Sequence, residues 1–122
     1  MHAHWAFLFV RRSMTTPTPI TSPTNSALPS PSCPLCQATA AADTIVSTPQ
    51  YRVVWANEVG YPCFVRVVWQ DHVAEMTQLS SQEREGLMSV VFAVEAALRE
   101  VLKPEKINLA SLGNYVPHLH WH

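Results

Sequence analysis

The chain has 122 residues, 48% of them hydrophobic and 14% charged, with a formal net charge of −1. This length fits one domain, and the near-neutral charge excludes a general electrostatic pull towards nucleic acid or an anionic membrane. No apolar run approaches the roughly 20 residues needed to span a bilayer, and three cysteines, an odd number, argue against a disulfide framework.

The amino-terminal stretch differs from the rest. Residues 5–10 form a short apolar run, and Arg11 and Arg12 follow it. Secretory and twin-arginine signals place their charges before the apolar segment, so the order here fits neither. A cytoplasmic location is the resulting expectation. Residues 13–31 are mostly Ser, Thr and Pro, a composition that cannot bury enough apolar surface to offset the entropy of ordering. Residues 1–31 are therefore predicted to be a disordered extension, with Met14 an alternative start, and residues 32–122 the folded domain.

The domain opens with Cys33-Pro34-Leu35-Cys36. A Cys-x-x-Cys is a metal half-site or a redox pair. A redox pair is expected between a strand and a helix of a βαβ unit, whereas this one follows a disordered tail. Zinc needs two further ligands, and His72 and His118 are the candidates by type. The alternative is that both cysteines are small apolar residues at the domain start, and the two readings stand level. Residues 51–56, rich in Val, Trp and Tyr, predict a strand. Residues 57–62 are turn-forming, and residues 64–69 predict a second strand, antiparallel to the first because the connection is too short for a crossover. Cys63, between turn and strand, is expected to be a buried small residue.

The clearest helix follows. Ser80 and Glu83 fit a capping box, with Leu79 as the staple residue. Leu87, Val91, Val94, Leu98 and Val101 make one apolar stripe, and Pro104 ends the helix. Residues 106–110 predict a third strand, 111–114 a turn, and 118–122 a fourth strand, the last two strands forming a hairpin. The expected domain is α+β: two antiparallel pairs, giving a sheet of about four to five strands, packed against one long helix.

Three of the six histidines fall in the last five residues, His118-Leu119-His120-Trp121-His122. In a strand, successive side chains point to opposite faces, so the three imidazoles share one face while Leu119 and Trp121 take the other. In a helix they would scatter. Such a set can bind metal, although three residues in line along a strand converge on one ion only with strain. It can also do covalent chemistry: the middle ring attacks phosphorus while its neighbours hold phosphoryl oxygens or protonate the leaving group. The remaining reading, a solvated surface strand, sits poorly with the apolar residues between the rings.

The segment resembles the signature of the histidine triad (HIT) family, His-x-His-x-His with apolar x. Gly113-Asn114-Tyr115-Val116 resembles the glycine-plus-amide stretch before the triad, and Asn108 the asparagine on the preceding strand. Cys33-Pro34-Leu35-Cys36 resembles the amino-terminal Cys-x-x-Cys of many bacterial members, and His72 the histidine that closes the second strand. The resemblance covers residues 32–122. It implies a nucleotide hydrolase or nucleotidyl transferase acting at the α-phosphate of a nucleoside phosphoramidate or dinucleoside polyphosphate through a covalent histidine intermediate. It makes His120 the nucleophile. His118 and His122 contact phosphoryl oxygens and assist the leaving group. Asn108, Gly113 and Asn114 place ribose and phosphates. It implies no cofactor for catalysis and a homodimer; a zinc, if bound through Cys33, Cys36 and His72, with His118 as a further candidate ligand, would be structural. His118 cannot readily serve both zinc and substrate, so those two roles compete.

The chain departs from the family pattern at several places. Cys63-Phe64 stands where members commonly have Gly-His, Trp69 replaces a proline, and Asn57 takes the place of an acidic ribose contact. The sequence ends at His122, before the two apolar residues that usually follow the triad, which predicts a frayed strand and reduced activity. Two other functions remain open: a catalytically weak nucleotide-binding module, and a zinc-binding structural domain.

Overall fold

The computed structural model describes residues 28–38, 43–61 and 63–122. The expected disordered extension therefore lies, up to residue 27, outside the described residues. Pro34 at the first helical position, with Cys33 as N-cap, starts a single turn α1 (Pro34–Gln37). The sheet comprises β1 (Thr44–Ser47), β2 (Tyr51–Trp55), β3 (Val65–Trp69) and β4 (His120–Trp121), in the order β1-β2-β3-β4 with all neighbours antiparallel. A 3-10 turn (Met76–Gln78) leads into the long helix α2 (Ser81–Leu102).

The β-branched and aromatic residues at 51–55 and 65–69 form the central pair as expected, in register Tyr51↔Trp69 through Trp55↔Val65. Between them Asn57 takes a left-handed φ of 50° and Gly60 a φ of 85°, conformations that Asn and Gly adopt at least cost. Helix α2 starts where Ser80 predicts. The Ser80 hydroxyl accepts from the Glu83 amide, and the Glu83 carboxylate accepts from the Ser80 amide at 2.8 Å. It ends at Lys103, which adopts the left-handed conformation just before Pro104.

Alternation assigns the two faces of the sheet. Tyr51, Val53, Val65, Val67, Trp69 and Leu119 point towards α2 and build the core with Leu79, Leu87 and Val91. Leu87 and Leu119 are the tightest members, at 1% and 2% exposure. The apolar stripe of α2 is only partly used: Val94 and Leu98 pack against the core, but Val101 is exposed. The opposite face carries two cross-strand rows, Arg52–Val68–His120 and Val54–Arg66, with His122 two residues beyond His120 in the second row.

Three expectations are corrected. The triad segment does not form a hairpin with residues 106–110; it pairs with β3, through Val67↔Trp121 and Val68↔His120. Residues 106–110 form no regular strand, and their link to the triad is one reciprocal backbone pair, Ala110 N to His122 O at 3.1 Å and His122 N to Ala110 O at 2.8 Å. Pairing across fifty residues is set by tertiary contacts that local propensity does not encode. Cys63 is exposed rather than buried.

Candidate active site and metal-type cluster

The three triad rings have different surroundings. His118 precedes β4, is 1% exposed, and has both ring nitrogens engaged. Its Nε2 donates to the Trp69 carbonyl at 2.7 Å. That donation leaves a lone pair on Nδ1, which lies 3.5 Å from Cys33 Sγ, 3.4 Å from Cys36 Sγ and 3.3 Å from His72 Nδ1. Cys36 Sγ is in turn 3.2 Å from His72 Nδ1. The four donor atoms all lie within 4.8 Å of one another.

These separations can be tested against a tetrahedron. With zinc–sulfur bonds of about 2.3 Å and zinc–nitrogen bonds of about 2.0–2.1 Å, its edges are about 3.3 Å between nitrogens and about 3.5 Å between nitrogen and sulfur. The four separations given above agree within a few tenths of an ångström, and the remaining two are no longer than 4.8 Å. The second requirement is also present, because a metal-binding imidazole ordinarily donates its other N–H to a carbonyl or carboxylate. The residues therefore fit a closed, four-ligand zinc site. Cys33 and Cys36 are brought to it by α1, which Arg52 ties down by donating from Nη2 to the Leu35 carbonyl and from Nη1 to Gln70 Oε1. Removal from water raises the Cys36 thiol above its usual value. Cys33 adds to the shift, and the Ser30 backbone and the Arg52 charge oppose it. Burial also lowers His118, which favours the neutral, ligating imidazole.

His120 sits on β4 beside Val68 and is 7% exposed. Its Nδ1 donates to the His118 carbonyl at 2.5 Å. The proton is thereby placed on Nδ1, and Nε2 keeps a basic lone pair. The ring of His122 meets that of His120 edge-on, with centroids 4.9 Å apart. His122 itself stacks flat on Phe64, at 4.5 Å and an interplanar angle of 2°. Burial, with further contributions from His120 and Arg66, lowers His122 to about 4. It is therefore neutral at pH 7, with its Nδ1 buried and without a partner.

The other sequence-predicted residues are dispersed. Asn108 lines a largely apolar cavity of about 420 Å³ that also reaches Val65, Leu98, Trp121 and His122. Gly113 and Asn114 border a second cavity of about 300 Å³ with Glu75, Ser111, Pro117 and His118. Asn57 is exposed in the turn after β2. The structure thus brings Cys33, Cys36, His72 and His118 into one cluster and His120 and His122 into a ring pair, and it divides the four amide and glycine positions among separate places. Sequence reasoning passed over Phe64 and Arg66. Phe64 counted only as a missing histidine, and Arg66 becomes visible only when β3 is known to lie beside the triad. Tyr51 OH, Arg52 Nε and Trp121 Nε1 are also buried without partners, and we have no physical account of them.

A family model described as the HIT domain matches residues 37–122, beginning just after the cysteine pair. Among solved structures, a histidine triad protein from Bradyrhizobium japonicum is 33% identical with a TM-score of 0.58, covering 65% of this chain and 60% of that one. A histidine triad protein from Marinobacter aquaeolei VT8 is 28% identical with a TM-score of 0.58, covering 66% and 61% respectively. The chain thus spans about three-fifths of each of these two structures. A search of curated proteins finds no match.

Proposed function

The chain belongs to the HIT domain family, and from that premise we propose that it is a nucleotide hydrolase or nucleotidyl transferase with His120 as its covalent nucleophile. One observation carries the proposal: the 2.5 Å hydrogen bond from His120 Nδ1 to the His118 carbonyl, which leaves Nε2 as the reactive atom. The Nε2 lone pair attacks the α-phosphorus, and the bond from phosphorus to the leaving oxygen or nitrogen breaks. The leaving group departs with the bonding electrons and takes a proton from solvent. The ring, now carrying the nucleotidyl group on Nε2, keeps its Nδ1–H and carries positive charge, which the His118 carbonyl stabilises. Water then attacks the same phosphorus and releases a proton. The nucleoside monophosphate leaves, and the P–N electrons return to Nε2.

In this scheme the neutral His122 contacts a phosphoryl oxygen, and its contact with Phe64 keeps its ring in place. The unpartnered Nδ1 of His122 supports that role, because a buried polar atom left unpaired costs about 1–3 kcal/mol and gains most from a ligand. His118 acts through its carbonyl and not through its ring, since both ring nitrogens are already engaged. We assign its ring to zinc, with Cys33, Cys36 and His72. Zinc there would pin α1 to the sheet and supply no chemistry at phosphorus. The substrates proposed are nucleoside phosphoramidates or dinucleoside polyphosphates, and the assembly proposed is a homodimer, supported by the exposed Phe92, Val101 and Leu102 on α2. Among the described residues no helix is long and apolar enough to cross a membrane.

The test is His120→Asn assayed with adenosine phosphoramidate and with diadenosine polyphosphate. Loss of turnover with retained nucleotide binding is expected; unchanged turnover of either substrate removes His120 as nucleophile. Tight binding of AMP by the wild type without any turnover would favour the alternative, a binding module.

A further inference from the structure

The face of the sheet that carries His120 holds two arginines, Arg52 in the row of His120 on the side of the cysteine cluster and Arg66 in the row beyond it. Arg52 is tied to Leu35 and Gln70 beside the cysteine cluster. Val68 pairs with His120 and Val54 with Arg66, so Arg66 lies in the same row as His122. Its guanidinium lies 5.4 Å from the centre of the Phe64 ring, the ring on which His122 stacks. Phe64 thus holds an imidazole and a cation together at one end of the site.

Arg66 uses little of its donor capacity. A guanidinium offers five N–H groups in a planar fork suited to carboxylate or phosphate. Nη2 donates to Glu58 Oε1 at 2.7 Å, and Nε is buried without a partner. No hydrogen bond from Nη1 is found among the described residues. The Glu58 carboxylate sits in the turn after β2 and is 47% exposed, against 25% for Arg66. An ion pair open to water in this way is weak, so a phosphate with more charge can displace the carboxylate from the fork.

We propose that Arg66 binds phosphate beyond the α-position and selects substrates whose leaving group is itself phosphorylated, with Glu58 holding the guanidinium until substrate arrives. This deepens the function proposed above and rests on it for the position of the α-phosphate beside His120. It gives dinucleoside and nucleoside polyphosphates, and not phosphoramidates with uncharged leaving groups, as the preferred class. A phosphoramidate leaving as a neutral amine has nothing for Arg66 to hold.

The experiment is calorimetric binding of AMP and of ADP to the full chain and to Arg66→Gln and Glu58→Gln. The wild type is expected to bind ADP about tenfold more tightly than AMP, roughly one charge-assisted contact. In Arg66→Gln that ratio should fall to about one. In Glu58→Gln, which frees the guanidinium, it should rise several-fold. Glu58→Gln guards against Arg66→Gln simply folding poorly, because loss of structure cannot raise the ratio. A ratio unchanged by both substitutions overturns the assignment. The readout does not depend on turnover: a chain with an Arg66-dependent ratio and no reaction at His120 keeps this inference and overturns catalysis. The reverse result keeps catalysis and overturns the role of Arg66, and a chain that binds neither nucleotide overturns both.

Discussion

Replacing Cys36 by serine removes one corner of the Cys33–Cys36–His72–His118 cluster and is expected to release the metal that its geometry fits. Cys36 Sγ is one end of two of the four measured edges, 3.4 Å to His118 and 3.2 Å to His72, so no other thiol can take its place. A metal bound only by the folded state stabilises it by RT ln(1 + [L]/Kd), about 4 kcal/mol at a thousandfold excess over Kd. For a domain of this size each kcal/mol moves Tm by about 4–8 °C. Chelator should therefore lower the wild-type melting temperature by roughly 15–30 °C, down to that of Cys36→Ser, and added zinc should restore only the wild type. Melting followed by circular dichroism, with zinc counted by a chromogenic chelator, reads both effects. Wild-type protein that carries no zinc and melts at the same temperature with or without chelator would refute the reasoning.

Other outcomes follow from the same geometry. Leu87→Ala should cost about 2–5 kcal/mol, because Leu87 is 1% exposed and the core around it cannot collapse fully; urea unfolding measures it. Ser80→Ala should cost about 1 kcal/mol through loss of the cap on Glu83, read in the same way. His122, held near pKa 4 against about 6.5 when unfolded, favours the folded state above pH 6.5, and that contribution is lost as pH falls through 4. Because the ring is partly open to water, the loss should be only about 1 kcal/mol. An NMR titration should place its midpoint near 4, and Phe64→Ala should move it upward as water reaches the ring; a wild-type midpoint near the free value contradicts the stacking account.

Local signals made the helix and the central pair of strands legible. Ser80 and Glu83 form a capping box from residues three apart, so the start of α2 could be read directly. The alternating, branched residues of β2 and β3 likewise state their conformation and their inner face. The partner of the triad segment could not be read. Residues 106–110 are nearer in sequence and equally strand-like, yet β4 joins β3 because Leu119 must enter the core beside Trp69, whose amide donates to the Leu119 carbonyl. The site shows the same division. Periodicity placed the three histidines on one side, and residue type nominated Cys33, Cys36 and His72. That His118 Nδ1 faces the two thiols and His72 follows from the bond of its Nε2 to the Trp69 carbonyl, a backbone group no side-chain pattern can announce. Arg66 was hidden for the same reason: its place beside His122 exists only once the register of β3 and β4 is known.

The most direct test of the central claim is mass spectrometry of the protein quenched in acid-free conditions during its reaction with diadenosine polyphosphate. The account predicts one adenylyl group per chain, attached to His120 and absent from His120→Asn. An adduct mapped to His118 or His122, or steady turnover with no adduct at any time, would contradict it.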